Sequence, residues 1–505
     1  MPNSVFITVD GCSCESLQGE TVLSALVRAG VALTAPCGGR GICENCRLVL
    51  LEGKVRLSKP ETEVKAGDSF CACKATAISD ITVSLAEDAG IPFFAVPSSV
   101  EKKIRRAGVG LDIGTTTVQA QLVDLETGET LDTFSALNDQ RSFGADVMSR
   151  IEAARSGKTR ELFEVINSQV EKMLRQFIQK WNLCNIENCA VSGNTTMLHL
   201  FCGVDPSSMG TAPFTPVFLE DRHFSGKKLS LSAEHIILLP GISAFVGADI
   251  VSGLALIGIM NKGGDSLFVD IGTNGEIAVW KESKRRLLCC STAAGPCFEG
   301  AEISCGMGAV LGAISRICLK EESPSANWFK SGPLFYTTLG NEKARGICGA
   351  GLIDAIAVMK RLGVLDETGA LADEYARSGF PVAEGIVVTQ KDVRQFQLAK
   401  SAIFSGIKVL CKTAGIEPEN AAAAYIAGGL GFFINFENAS SAGLLPGELT
   451  KNAAVCGNTS LKGAVKSLTD SSFLPRCREI VSCASTAELA NTDGFAEMFA
   501  DNMRL

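Results

Sequence analysis

One short phrase occurs twice in this chain. Gly110-Leu-Asp-Ile-Gly-Thr-Thr-Thr117 returns as Val269-Asp-Ile-Gly-Thr-Asn-Gly-Glu276, which sets Asp112 and Asp270 about 158 residues apart. In each copy an apolar run ends in Asp, a Gly and a hydroxyl residue follow, and a second apolar run begins. That is how two strands joined by a tight turn read. The duplication predicts two similar halves facing a shared cleft. Around it, strand-like runs (Val109–Ile113, Val118–Asp124, Leu267–Ile271, Glu276–Trp280, Ala424–Ala427) alternate with helical patterns (Ala145–Ala154, Arg160–Trp181, Gly351–Leu362, Asp392–Thr413). Strands alternating with helices indicate an α/β architecture.

A hairpin turn of this composition can wrap a phosphate with backbone N–H groups and threonine hydroxyls. The first copy offers Gly114, Thr115, Thr116 and Thr117, with Asp112 placed to hold Mg²⁺ through water. The second offers Asp270, Gly272, Thr273, Asn274 and Gly275. A third glycine group, Gly428, Gly429 and Gly431, follows a strand and would let a nucleobase and ribose approach the backbone. None of these matches the Walker spacing. Two such turns followed by Gly-Gly-x-Gly resemble the acetate-kinase, sugar-kinase, Hsp70 and actin superfamily. The resemblance implies a two-lobed, ribonuclease H-like ATPase. Sugar kinases of that superfamily place a catalytic Asp in a Gly-x-Asp segment ahead of the second turn, which here is Gly247-Ala-Asp249. Asp249 is also a lone charge in a long apolar stretch, costly to bury without a role. It is read as base or water-positioning group, or alternatively as a helix N-cap. Asp112, Asp249 and Asp270 form the expected catalytic set, with Glu276 and Glu299 as weaker candidates at the same cleft.

The first part of the chain reads differently. Of the 20 cysteines, seven fall in the first 73 residues. Ser4–Asp10, Cys46–Leu51 and Asp80–Leu85 read as strands, and Thr21–Gly30 as a helix closed by Gly30. Cys37-Gly-Gly-Arg-Gly-Ile-Cys43-Glu-Asn-Cys46 is followed by Cys71 and Cys73. Four thiolates suit an iron–sulfur cluster or zinc. Zinc sites more often pair cysteines at two-residue spacings. The five-then-two spacing with loop glycines resembles plant-type [2Fe–2S] ferredoxins over residues 1–88. The resemblance implies a β-grasp α+β domain with ligands Cys37, Cys43, Cys46 and a fourth from Phe70-Cys-Ala-Cys-Lys74. Cys73 fits the family's Ala-Cys step, and Cys71 is the alternative. A cluster of this kind carries one electron at about −400 mV. Residues 89–106 hold two prolines, two serines and a basic run, the composition of a flexible linker. The ATPase then covers 107–505, with lobe one about 107–245 and lobe two about 246–505.

Composition removes other classes. The net charge is −8 and the pI near 5.3, so no basic footprint points to nucleic acid. The stretch Ile236–Met260 is apolar but holds Pro240, four glycines and Asp249, and reads as buried core with a loop, not a membrane span. No secretory pattern occupies Met1–Gly11, so a cytoplasmic location is expected, with the 13 later cysteines as reduced, buried thiols. His199, His223 and His235 are too scattered for a metal set.

A ferredoxin joined to this kind of ATPase resembles the reductive activators of corrinoid-dependent methyltransferases and corrinoid proteins. The resemblance is carried by Asn138-Asp-Gln-Arg-Ser-Phe-Gly-Ala-Asp-Val-Met-Ser-Arg-Ile151, Ser192-Gly-Asn-Thr-Thr-Met-Leu-His199 and Ala294-Gly-Pro-Cys-Phe-Glu-Gly-Ala-Glu302. It continues in Gly346-Ile-Cys-Gly-Ala-Gly-Leu-Ile-Asp354, Gln390-Lys-Asp-Val-Arg394, Gln397-Leu-Ala-Lys400 and Cys456-Gly-Asn-Thr-Ser-Leu-Lys-Gly-Ala464. It implies ATP-dependent return of a Co(II) corrinoid protein to Co(I), with ATP, Mg²⁺ and a [2Fe–2S] cluster as cofactors. The implied partners are a corrinoid protein and an upstream low-potential donor, with neither nucleic acid nor membrane. The linker would let the ferredoxin swing between donor and cobalt. Better-known members carry a middle domain between linker and ATPase. Here about 20 residues separate Leu85 from Gly108, so that domain is expected to be absent. The alternatives are an activator of another radical or dehydratase enzyme, and a small-molecule kinase with a regulatory ferredoxin.

Overall fold

The computed structural model describes residues 5–9, 12–16, 19–28, 46–57, 62–85, 104–319, 328–429 and 434–505. Cys37, Cys43, Gly431 and nearly all of the expected linker lie outside the described residues. By compactness the chain divides into two units. One holds 1–218 and 223–237, the other 219–222 and 238–505. The change at 237/238 falls eight residues before the lobe boundary expected from sequence.

The described residues up to Leu85 hold a five-stranded and a small three-stranded sheet. Strands β1 (Val5–Val9), β2 (Cys12–Ser16), β3 (Arg47–Glu52), β4 (Ser69–Cys71) and β5 (Ile81–Leu85) run in the order β2-β1-β5-β3-β4. β1 lies parallel to β5, and the other neighbours are antiparallel. Helix α1 (Val22–Arg28) supplies Val22, Leu23, Ala25 and Leu26 to a core shared with Ile7, Leu48, Leu50 and Val83. The helix positions recur every three or four residues and the strand positions every second, which is why each element can bury one face.

The sequence repeat is a structural repeat. In the first unit, β6 (Ala107–Ile113), β7 (Thr117–Asp124), β8 (Thr130–Leu137), β9 (Ile186–Gly193) and β10 (Ala233–Leu238) stand in the order β8-β7-β6-β9-β10. In the second, β11 (Ser266–Ile271), β12 (Gly275–Lys281), β13 (Arg286–Thr292), β14 (Ala423–Ala427) and β15 (Ala453–Gly457) stand in the order β15-β14-β11-β12-β13. Both orders are the same sequence of strands, three-two-one-four-five, read from opposite ends. In each, the first three strands form an antiparallel meander and the fourth runs parallel to the first. The central strands β6 and β11 are buried along both faces except at the half-buried Asp112 and Asp270.

Helices of the first unit include α2 (Val147–Ala153) and α3 (Thr159–Lys180), whose Leu162, Ile166, Val170, Met173, Leu174 and Phe177 line one buried stripe. The second unit uses α4 (Ala248–Ile257), α5 (Gly349–Arg361) and α6 (Gln390–Ala414). The apolar stretch 236–260 resolves into the end of β10, a loop and α4, and among the described residues no helix is long and apolar enough to cross a membrane. Arg106, assigned to the linker from sequence, is ion-paired with Glu187 on β9 at 2.5 Å.

Candidate functional site

Of the expected iron ligands, Cys46 and Cys73 are described and are brought together. β3 and β4 pair with Arg47 opposite Cys71, which carries the following turn (Ala72–Lys74) back to Cys46. The Ala72 N–H donates to the Cys46 carbonyl at 2.8 Å, and the Cys73 N–H donates to Cys46 Sγ at 3.5 Å. Cys46 is 1% exposed, and Cys71 and Cys73 are half-buried against the same core. A backbone N–H aimed at sulfur favours thiolate over thiol and tunes a bound cluster. The two described thiols therefore fit an iron–sulfur group.

The first phosphate turn connects β6 to β7. Its Gly114 N–H donates to the Thr117 carbonyl at 3.0 Å, and a Cβ on Gly114 would stand 2.7 Å from that carbonyl oxygen, so only glycine permits the closure. Asp112, next to last in β6, is half-buried opposite Gln119 on β7. Behind the turn lie residues to which the sequence reading gave no role. Asn138 donates to the Gly114 carbonyl at 2.8 Å, Arg150 to the Thr115 carbonyl at 2.6 Å, and Asn194 to the Thr115 hydroxyl at 2.9 Å. Asn138 and Arg150 lie in one long motif quoted above and Asn194 in another. They stand there as polar residues whose burial the sequence does not reveal.

The second turn connects β11 to β12 with one residue fewer, pairing Ile271 with Gly275 where the first pairs Ile113 with Val118, and closes with the Gly272 N–H on the Asn274 carbonyl at 2.9 Å. The register sets Asp270 opposite Glu276. Asp249 occupies the first turn of α4, where Gly247 is the N-cap, so the N-cap alternative is replaced by a first-turn position. Its carboxylate accepts the Ile250 N–H at 2.9 Å. Burial pushes the Glu276 carboxyl well above the usual carboxylate range, and the charges of Asp249 and Asp270 push it further. Ser291 donates to it at 3.0 Å. Glu299 accepts from the Thr273 hydroxyl. Asp249, Asp270 and Glu276 thus share one region of the second unit, and Glu299 reaches the turn through Thr273; Glu276 and Glu299 were the weaker candidates from sequence. Gly428 follows β14 at φ +93°, with its N–H on the Gly457 carbonyl at 3.1 Å. Gly429 is exposed.

The bystanders are also clear. His199 is fully buried: Nδ1 donates to the Thr195 carbonyl at 2.7 Å, Nε2 accepts the Val217 N–H at 3.1 Å, and the ring stacks on Phe218. It holds a loop, not a metal. Most later cysteines are buried, and burial pushes the Cys189, Cys411 and Cys477 thiols up to about 12, so they stay protonated and inert.

Comparison with known proteins bears on the whole chain. The corrinoid activation enzyme RamQ of Eubacterium limosum is 32% identical over 447 residues, spanning 81% of this chain and 73% of that protein. This chain belongs to the corrinoid activator family. A second relative in that family, the [Co(II) methylated amine-specific corrinoid protein] reductase of Methanosarcina barkeri, is 30% identical over 400 residues, 74% of this chain and 72% of its own. A solved reductive activator for a corrinoid, iron–sulfur protein matches with TM-score 0.72 and 26% identity, covering 99% of this chain and 98% of that one. Three family models divide this activator. A 2Fe–2S iron–sulfur cluster binding domain matches residues 5–77, the RACo middle region 107–262, and the C-terminal ASKHA domain of RACo 265–505. The fold expectation, a ferredoxin-like domain followed by an ASKHA-type domain, stands. The expectation that the middle region is missing does not, because a region of that description starts where lobe one was expected to start. Length between Leu85 and Gly108 was a poor guide, since the middle region follows that gap instead of filling it.

Proposed function

We propose that this chain is an ATP-dependent reductive activator that returns an inactive Co(II) corrinoid protein to Co(I) by one-electron transfer. The observation that carries the reading is a Cys46–Cys73 thiol pair and two Asp-Ile-Gly-Thr hairpin turns in one chain of the activator family. Cys37, Cys43, Cys46 and Cys73 are the proposed iron ligands. When bound, a [2Fe–2S] cluster supplies one low-potential electron, and the Cys73 N–H on Cys46 Sγ sets the charge it can hold.

The nucleotide contacts are assigned to Gly114, Thr115, Thr116 and Thr117 in the first unit and to Gly272, Thr273, Asn274, Gly275, Gly428, Gly429 and Gly431 in the second. Asp112 and Asp270 would orient Mg²⁺ through water. Asp249 would orient or deprotonate the attacking water, beside Glu276, whose carboxyl is held above the usual range by burial and by the charges of Asp249 and Asp270. ATP is needed because each 59 mV of uphill one-electron transfer costs a factor of about ten, about 1.4 kcal/mol. A nucleotide contributes only by favouring one of two states of the protein or its complex. An upstream low-potential donor recharges the cluster, and the reading places the chain in the cytoplasm, where thiols stay reduced.

The test is anaerobic. Purified protein, MgATP, a low-potential reductant and a Co(II) corrinoid protein are mixed, and the Co(I) absorbance is followed. ATP-dependent Co(I) formation is expected. Absence of any ATP-dependent change with a cognate partner overturns the reading.

A further inference from the structure

Three successive carbonyls of the first phosphate turn are held from behind. The Gly114 carbonyl accepts from Asn138 Nδ2 at 2.8 Å, the Thr115 carbonyl from an Arg150 guanidinium N–H at 2.6 Å, and the Thr116 carbonyl from the Asn138 backbone N–H at 2.8 Å. Asn138 and Arg150 are both 0% exposed. The Arg150 fork also donates to the Gly144 carbonyl at 3.1 Å, which fixes its plane. Asn194 completes the set. Its oxygen caps the helix Thr195–Phe201 by accepting the Met197 N–H at 3.0 Å, and its amide donates to the Thr115 hydroxyl at 2.9 Å.

The consequence follows from peptide geometry. In a trans peptide the C=O and the next N–H point in opposite directions, and the turn contains no cis bond. Holding the Gly114 and Thr115 carbonyls on buried side chains therefore turns the N–H groups of Thr115 and Thr116 away from them. Two adjacent N–H groups facing one way make an anion-binding concavity. A buried guanidinium behind them adds positive potential in a low-dielectric setting, where it is poorly screened.

We propose that Arg150, with Asn138 and Asn194, is a buried clamp that presents the Thr115 and Thr116 N–H groups to the phosphates of the nucleoside triphosphate. Arg150 is a positioning residue that acts through the turn without touching the nucleotide. This rests on the ATP reading above and adds the residues that create phosphate selectivity at the first turn. Lysine cannot replace the fork, because a single ammonium does not reproduce two fixed, coplanar donors.

The experiment is calorimetric titration of the full chain with the magnesium complex of a non-hydrolysable ATP analogue, and separately with adenosine. Wild type, Arg150→Lys and Asn194→Ser are compared, with thermal melting as the folding check. Serine retains the helix cap but cannot span to Thr115, so Asn194→Ser decides the outcome should Arg150→Lys not fold. Each folded variant is expected to bind the triphosphate about tenfold more weakly, the loss of one charge-assisted or buried hydrogen bond, with adenosine affinity unchanged. Equal triphosphate affinity in variant and wild type overturns the clamp and leaves the ATP reading intact. A parallel loss for adenosine also overturns it, since that marks general damage. Failure of wild type to bind the triphosphate sinks the ATP reading itself.

Discussion

Gly428 and Gly429 are adjacent in sequence and were assigned the same role, yet the structure separates them sharply. Gly428 stands at φ +93°, and a Cβ there would lie 2.4 Å from the Ile271 carbonyl oxygen and 2.8 Å from Asp270 Oδ1. A Cβ on Gly429 meets nothing within 4 Å. For Gly428→Ala, the left-handed backbone costs about 1–2 kcal/mol. Moving a backbone carbonyl and a carboxylate out of overlap adds about 1–3 kcal/mol, as in other overpacked sites. The sum is about 2–5 kcal/mol, borne by the strand ends of the second unit. Because one of the clashing atoms belongs to Asp270, the same substitution should also displace a proposed Mg²⁺-orienting group. Gly429→Ala should stay within about 0.5 kcal/mol of wild type. Urea unfolding of the full chain measures the stability difference, and titration with a non-hydrolysable MgATP analogue measures the second effect. The reasoning is refuted if Gly428→Ala unfolds with wild type, or if Gly429→Ala is destabilised as much as Gly428→Ala.

Three further outcomes are expected. Cys73→Ala should reduce iron from about two per chain to near zero, while Cys71→Ala retains it. Iron and sulfide analysis of anaerobically reconstituted protein decides between the two. Glu276 has a native pKa raised by burial and by Asp249 and Asp270, so the folded state holds its proton more tightly than the unfolded chain does. Its favourable contribution is complete below the unfolded carboxylate pKa and is lost as pH rises through the native value. Urea unfolding across pH, without nucleotide or Mg²⁺, should thus show wild type losing stability over that window and Glu276→Gln losing less. Identical pH slopes would count against the raised pKa. His199→Ala removes an acceptor for the Val217 N–H and the stack on Phe218, at a cost of about 2–4 kcal/mol, and should leave iron content unchanged.

How much of this was legible in the sequence depends on what each feature needs from the fold. The Asp-Ile-Gly-Thr repeat was readable because a hairpin is local: seven or eight residues specify both strands and the turn. The observed strands Thr117–Asp124 and Gly275–Lys281 and the helices Thr159–Lys180 and Gln390–Ala414 lie within a residue or two of expectation, since their period is carried by consecutive side chains. Arg150 was not readable. A lone arginine in an amphipathic run looks solvated, and only tertiary packing takes it to 0% exposure against a carbonyl 35 residues away. Asp249 lies between these cases. Its isolation in an apolar stretch was visible, but whether it caps a helix or faces other carboxyl groups depends on where β11 and β12 place Asp270 and Glu276.

The two turns share a sequence phrase but neither a register nor a chemistry. The first is supported by donors: Asn138, Arg150 and Asn194 all offer N–H groups to it. The second is surrounded by carboxyl groups: Asp249, Asp270 and Glu276, with Glu299 on Thr273. A triphosphate with its Mg²⁺ carries both signs of charge, anionic oxygens and a divalent cation, and no single environment favours both. Donor support suits the oxygens, and carboxyl groups suit the metal and the attacking water. Duplicating one hairpin and then giving the copies opposite electrostatics therefore makes one turn suited to anionic oxygens and the other to a cation. On this argument Asp112→Asn should weaken nucleotide binding less than Asp270→Asn weakens its Mg²⁺ dependence, because Asp112 lies beside donors and Asp270 within the acidic region. Titrating Mg²⁺ at fixed nucleotide measures it, and the reverse order would show that the electrostatic contrast between the turns does not divide the work between them.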